Sequence, residues 1–211
     1  FTHFQHDPNS KSSLSSDLVH AIYEDKAGTL WVGTRNKGLN RFDPVTQSFS
    51  RYVKDPNNER SLVNDNVRAM IQDHTGNLWI GTRGGGLSYF SPSSTRFGLN
   101  KHQPKNKNSL AQGAINEMYK DSSGILWIGS STGLDRYDEK RDEWFHYSAS
   151  HEKGASLSHH ISNNDVRAIF EDSYGILWVG TVNGGLNRVN RVDENNKPLK
   201  PQNYSFYHYQ K

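Results

Sequence analysis

The sequence predicts an all-β fold, a β-propeller of four four-stranded antiparallel blades, and three observations lead there. One phrase recurs four times: Gly-Thr-Leu-Trp-Val-Gly-Thr at 28–34, Gly-Asn-Leu-Trp-Ile-Gly-Thr at 76–82, Gly-Ile-Leu-Trp-Ile-Gly-Ser at 124–130 and Gly-Ile-Leu-Trp-Val-Gly-Thr at 175–181. Its Trp residues stand 48, 48 and 51 positions apart, a period that marks solenoids and propellers assembled from one supersecondary unit. Around each copy, short alternating apolar runs are broken by Asp- and Gly-bearing turns, and no stretch carries a helical period. Four-stranded sheets repeated radially make a propeller.

The second copy shows how one blade is read. Val67, Ala69 and Ile71 alternate with Arg68, Met70 and Gln72, the period of an inner strand. Asp73-His-Thr-Gly76 then makes a tight turn, with Asp opening it and Gly supplying the positive φ. Leu78-Trp-Ile-Gly-Thr82, rich in β-branched and aromatic residues, is the second strand. Gly84-Gly-Gly86 turns the chain into a third strand, Leu87-Ser-Tyr-Phe90, and a weaker outer strand follows near Phe97. The Gly inside strand two (Gly33, Gly81, Gly129, Gly180) predicts close backbone approach or room for a neighbouring blade's Trp.

The blades are expected at 13–60, 61–108, 109–155 and 156–211. Phe1, Phe4 and Asp7-Pro8 align with Phe49, Tyr52 and Asp55-Pro56, so residues 1–12 read as the outer strand and exit loop of a preceding blade. Tyr204-Ser-Phe-Tyr-His-Tyr209 supplies blade four with its own outer strand. Four blades and a spare strand fit an arc of a larger propeller. Such an arc leaves its first and last blades unpartnered and is expected to self-associate, close by adjusting blade angle, or dissolve poorly.

Bulk composition narrows the function. The chain has 211 residues and no Cys, which excludes disulfides and thiolate metal sites. A mean hydropathy of −0.86 borders on disorder, but the 11% aromatic content falls largely at repeated positions, where each blade can bury it. Net charge is +3 with no clustered basic footprint, which argues against a nucleic-acid partner. No run approaches the roughly 20 apolar residues of a membrane span, so no membrane insertion by this segment is expected. The chain opens in mid-pattern without Met and reads as a piece of something longer.

With these residues in hand, the pattern Ser61-Leu62, Val67, Asp73, Gly76, Leu78-Trp79-Ile80-Gly81-Thr82 and Gly85-Gly86-Leu87 resembles the two-component regulator propeller repeat. That resemblance covers essentially the whole chain. It implies seven-bladed propellers, often in tandem, forming the extracytoplasmic, periplasmic sensor part of bacterial membrane receptors. It also implies downstream modules absent here, a tyrosine-rich sandwich, a transmembrane helix and a histidine kinase or diguanylate cyclase, and in many members a response to carbohydrate. The implied partners are an oligosaccharide or anionic small molecule, the remaining blades and receptor domains, and a homodimer mate.

Positions that vary between copies, or stay polar without a packing reason, are the candidate ligand-binding residues. The second inner-strand residue is His20, Arg68, Asn116 or Arg167, near the strand's entry end. The loops between strands two and three end on the same face and carry Arg35, Lys37, Arg83 and Asn183. Glu117 stands where the other copies have Ala21, Ala69 and Ala168, and is expected to pair with Arg68 or Arg167. Together these make a cation-rich mouth suited to an anionic or hydroxyl-rich ligand. Arg68 and Arg167 are the leading ligand contacts, and pairing with Asp65 and Asp165 is the structural alternative.

The four Trp read as core, and the Asp-x-x-Gly segments as turns, since one carboxylate cannot make a calcium site. His151, His159 and His160 read as loop histidines, and neither metal nor cofactor is expected. The extra stretch at 192–202 reads as a decorated hairpin or domain contact on the opposite face. Non-catalytic ligand sensing is the expected function. A dimerisation scaffold without a ligand site, and a propeller lyase using His20, Glu117 and a metal, stand as alternatives.

Overall fold

A computed structural model describes residues 1–91, 97–150, 159–193 and 195–209. Every described strand belongs to one of four antiparallel meanders. Blade one is β1 (Val19–Glu24), β2 (Leu30–Thr34), β3 (Leu39–Asp43) and β4 (Ser48–Tyr52). Blade two is β5 (Val67–Gln72), β6 (Leu78–Thr82), β7 (Gly86–Phe90) and β8 (Phe97–Asn100). Blade three is β9 (Ile115–Lys120), β10 (Leu126–Ser130), β11 (Leu134–Asp138) and β12 (Glu143–Tyr147), and blade four is β13 (Val166–Glu171), β14 (Leu177–Thr181), β15 (Gly185–Asn190) and β16 (Ser205–Tyr209). Among the described residues, a 3-10 turn at Pro201–Asn203 leads into β16. The chain divides into two compact units, Phe1–Lys101 with blades one and two, and His102–Lys211 with blades three and four.

One interaction is built four times. The Trp at the second position of the second strand donates its indole N–H to the Asp that opens the preceding turn: Trp31 to Asp25 at 2.9 Å, Trp79 to Asp73 at 2.9 Å, Trp127 to Asp121 at 2.8 Å and Trp178 to Asp172 at 2.8 Å. The other oxygen of the same carboxylate accepts the backbone N–H groups two and four residues on, as Asp73 does from Thr75 and Asn77. The turn and the core aromatic are thereby fixed by one side chain. Burial alone would raise the Asp25 and Asp73 pKa values, but the indole and the turn donors outweigh it and hold both below 3.8.

Within each unit, the blades pack face to face on side chains from all four strands and from the segment entering the second blade. Trp31, Leu39, Leu62, Val67, Met70, Ile80 and Phe97 form one buried cluster, and Trp127, Leu134, Ile161, Val166, Ile169, Val179 and Phe206 form another. The strand-two glycine is where the blades come closest. A Cβ on Gly33 would sit 2.5 Å from Val67 Cγ1, and one on Gly129 would sit 2.6 Å from Val166 Cγ1. The neighbour is therefore the first Val of the next inner strand, not the Trp that the sequence suggested. At Gly180 the nearest atom would be Ala168 Cβ at 3.4 Å, an ordinary contact.

The inner strands depart from simple alternation. In β5, Met70 and Gln72 are buried along with Val67 and Ala69, so side chains on both faces of the strand are buried. Ladder register also shifts between Val19 and Ala21, Val67 and Ala69, Gly129 and Ser130, and Val166 and Ala168. Each shift is a β-bulge that leaves one inner-strand residue outside the pairing.

Two segments outside the four meanders have defined local structure. Residues 1–7 form no strand: Phe4 packs its ring edge-on against Phe42 and Phe49, at 5.1 and 5.7 Å between centroids. The loop that follows does repeat its later copy, since Asp7 N–H donates to Ser13 Oγ at 2.9 Å just as Asp55 N–H does to Ser61 Oγ. The segment 192–202 folds as a small hairpin closed by a Val192–Pro198 bridge, with Asp193 Oδ1 accepting from the Asn195 and Lys197 N–H groups; Glu194 lies outside the described residues. Ile22 of blade one is 67% exposed where its equivalent Met70 is 8%, and Leu186 of blade four is 40% exposed where Leu134 is fully buried.

Two substitutions test this packing by urea denaturation. Asp73→Ala removes the acceptor of a buried indole and is expected to cost at least about 2 kcal/mol, with Asp73→Asn retaining part of it. Gly129→Ala drives a methyl group into Val166 and is expected to cost about 1–3 kcal/mol, while Gly180→Ala leaves the midpoint nearly unchanged.

Candidate functional site

The bulges decide where the polar inner-strand residues go. His20, Arg68, Asn116 and Arg167 are the residues left outside the four ladders. A bulge re-aims its extra side chain away from the pleat, so these positions escape the packing that buries their neighbours. All four lie at the entry end of their strands. The β2–β3, β6–β7 and β14–β15 loops end at the same end of the meander, which places Arg35, Lys37, Arg83 and Asn183 there too.

In the first unit, the entry end is cationic. Arg68 donates from Nε to Asn66 Oδ1 at 3.1 Å, and Asn66 donates from Nδ2 to Asn36 Oδ1 at 3.3 Å. His20 stands close enough to Arg68 and Arg35 to feel both: partial desolvation first, then the two guanidinium charges, hold its pKa below 6.5. It is thus mainly a neutral imidazole at pH 7. Arg35, Lys37 and Arg83 are exposed at this end, with Arg35 and Arg83 fixed by backbone N–H bonds to Leu18 O and Asn66 O. Asn36 and Asn66 were not singled out from the sequence, because an Asn in a polar loop carries no distinguishing signal.

The second unit differs. Arg167 grips Asp165 with two bonds, Nε to Oδ1 at 2.8 Å and Nη2 to Oδ2 at 2.9 Å. Asn116 donates to the same Asp165 Oδ1 at 3.0 Å and to Val166 O at 2.9 Å. The expected pairing of Glu117 with Arg167 is therefore not made. Glu117 lies opposite Gly129 in the ladder, accepts from the Met118 N–H at 3.0 Å, and has its pKa raised by burial. Asn183 sits at φ 56° in the β14–β15 turn, where blade two has Gly84 at φ 86°. The left-handed turn explains that Asn without a ligand.

Other polar groups are structural. His159 and His160 each direct Nδ1 at a carbonyl, Tyr204 O and Ser148 O, both at 3.1 Å; His151 lies outside the described residues. A pair between buried Asp135 and the more exposed His146 escaped the sequence reading entirely. Asp135 occupies the place of Asn40 and Asn187, whose side chains accept the Ser15 and Ser162 N–H groups at 2.9 and 2.8 Å. Asp135 instead bonds His146 Nδ1, and His146 Nε2 faces Lys107 O at 3.1 Å. A carbonyl only accepts, so Nε2 carries a proton and one further proton is shared between Nδ1 and the carboxylate. The Asp135 bond raises the His146 pKa above 6.5, and burial raises that of Asp135 above 3.8.

The family's sequence profile for the two-component regulator propeller matches residues 13–36, 61–84, 109–132 and 160–183. The chain carries four copies of the two-component regulator propeller repeat. Solved structures agree on the fold. The propeller superposes on the extracellular domain of a proposed hybrid two-component system of B. thetaiotaomicron with TM-score 0.71 and 23% identity, over 93% of this chain and 25% of that one. A proposed one-component system of the same organism gives 0.65 and 22%, over 97% and 26%. Virginiamycin B lyase of Staphylococcus aureus gives 0.59 and 11%, over 97% and 58%. The chain thus spans about a quarter of the length of the two receptor domains. No curated protein matches it. Among the described residues, no helix is long and apolar enough to cross a membrane.

The Asp135–His146 pair sets a pH dependence. Its raised pKa values mean that the folded state holds protons the unfolded chain releases. The His146 contribution is full below pH 6.5 and is lost as pH rises through the raised value; Asp135 acts in the same direction from 3.8 upward. The lowered His20 value acts oppositely near the same pH but on an exposed side chain, and the lowered Asp25 and Asp73 values act oppositely as pH falls below 3.8. The thermal midpoint is therefore expected to be higher at pH 6 than at pH 8, and His146→Gln to flatten that difference.

Proposed function

We propose that this propeller is a ligand-sensing segment of the extracytoplasmic part of a bacterial signalling receptor, doing no chemistry itself. The observation that carries the reading is the match of all four blades to the two-component regulator propeller repeat. The fold likeness to extracellular receptor domains supports it. So do the exposed faces of Ile22 and Leu186, which further blades of a longer receptor would cover. A periplasmic location follows from the same reading.

The ligand end is the strand-entry face, and His20, Arg35 and Arg68 of the first unit are its core. A neutral imidazole beside two guanidinium groups offers donors to a carboxylate or to paired hydroxyls, as an acidic or neutral oligosaccharide presents them. Arg167 contributes less, because Asp165 already occupies its donor fork. Lys37 and Arg83 add charge at the rim, whereas Asn116, Glu117 and Asn183 serve local structure.

Calorimetric titration with neutral and acidic oligosaccharides tests this. The Arg35→Ala, Arg68→Ala double variant is expected to weaken binding about ten- to a hundredfold, as charge-assisted hydrogen bonds require, with an unchanged thermal midpoint. Arg167→Ala should leave affinity within about twofold. If no oligosaccharide binds and the chain instead sediments as a concentration-dependent dimer, the scaffold reading replaces this one.

A further inference from the structure

Blade three carries a group that neither the repeat nor the entry-face reading uses. All five residues of β11 are buried, and Arg136 at its centre is only 6% exposed. Its equivalents Arg41 and Arg188 are not buried. The difference comes from the insertion after β15, whose Leu199, Pro201 and Tyr204 close over the blade-three surface. Arg136 lies over the Phe145 ring at 5.6 Å, and Arg188 lies over Tyr207 at 5.7 Å, so the stacking belongs to the repeat. The burial does not.

The buried guanidinium is poorly compensated. Nε and Nη1 of Arg136 have no hydrogen-bond partner, and the nearest carboxylate oxygen, Asp138 Oδ2, is 3.7 Å from Nη2. That carboxylate is already engaged: Oδ2 takes Arg141 Nη1 at 2.9 Å, and Oδ1 takes the Lys140 and Arg141 N–H groups at 3.1 and 3.3 Å. Arg191 is likewise spent, on Asp121 at 2.8 Å and Glu171 at 2.6 Å. Arg136 and Lys140 thus leave positive charge without an acceptor beside an open cavity of about 500 Å³, walled by Val192, Pro198 and Tyr204. A buried charge without a close counter-ion costs free energy that an anion bound beside it recovers.

We propose that this cavity is a second binding site, for a small oxyanion such as a carboxylate, sulfate or phosphate group. Arg136 holds the oxyanion at the base, and Lys140 and Arg141 hold it at the rim. The cavity lies at the turn end of blades three and four, opposite the strand-entry end, so it stands or falls independently of the oligosaccharide reading. Its volume is that of a small-molecule site, and its apolar wall accommodates the carbon frame of a hydroxylated acid.

The test is thermal shift and calorimetry on the whole chain at fixed ionic strength, with sodium sulfate, sodium phosphate and sodium glucuronate against sodium chloride. Saturable stabilisation by at least one oxyanion beyond chloride is expected, and the three salts distinguish inorganic from organic sources. Lys140→Ala and Arg141→Ala, on an exposed turn, should each weaken it about tenfold and leave the anion-free midpoint in place. Arg136→Met should abolish the anion response while keeping or raising the anion-free midpoint, because a buried charge gives way to an apolar side chain. An equal response to chloride and every oxyanion overturns the proposal. So does an oxyanion response that survives Lys140→Ala, Arg141→Ala and Arg136→Met alike.

Discussion

A turn carboxylate that accepts an indole N–H is the constraint on which each blade depends. Trp brings the largest apolar area of any side chain, but its N–H needs a partner when buried. Asp needs donors for its charge and finds them in two turn amides and the indole. Each residue thus removes the other's cost of burial. The bond spans six positions and ties the first turn of the meander to the middle of its second strand. A blade too thin to hold a core of its own acquires a fixed shape before it meets its neighbour.

That shape sets how blades meet inside each unit. The Trp-apolar-Gly order puts a bare Cα two residues beyond the core Trp, on the same face, and the next blade's Val67 or Val166 fills the space. The Asp turn also reaches across: Lys26 N–H donates to Gln72 Oε1 at 2.8 Å, and Ser122 N–H donates to Glu171 Oε2 at 2.7 Å. Both links end on the last residue of the following inner strand. Close packing near the middle of the strand and hydrogen bonding at its turn end leave the entry end least constrained. There the bulge appears, and there polar residues vary from blade to blade.

The strands, their order and the fourfold repeat were legible in the sequence because Trp, Gly and Asp recur in register and each answers a local need. What was not legible depends on neighbours in space. Val67-Arg-Ala-Met-Ile reads as plain alternation, yet one residue leaves the ladder and both faces are buried. The glycines pointed to a close approach, but the approaching residue is a Val 34 or 37 positions away. Of the candidate site, the cationic cluster His20, Arg35 and Arg68 rests on residues already marked by their variation. Arg167 and Asn183 carried the same mark but satisfy an ion pair and a left-handed turn.

Blade three holds most of the departures from the repeat, and they share a cause. Glu117 replaces an alanine, Asp135 replaces an asparagine, and Arg136 is buried where its counterparts are not. Each introduces charge into a layer that the other blades keep neutral or exposed. Asp135 is compensated by His146 from the adjacent strand, and Glu117 by a raised pKa and its neighbour's amide. Arg136 has no equivalent compensation from the chain. The carboxylate nearest to it among the described residues, Asp138, is committed to the turn, and an apolar side chain would fill the same space beneath Tyr204 at lower cost. A side chain with that balance is explained by what the cavity beside it receives.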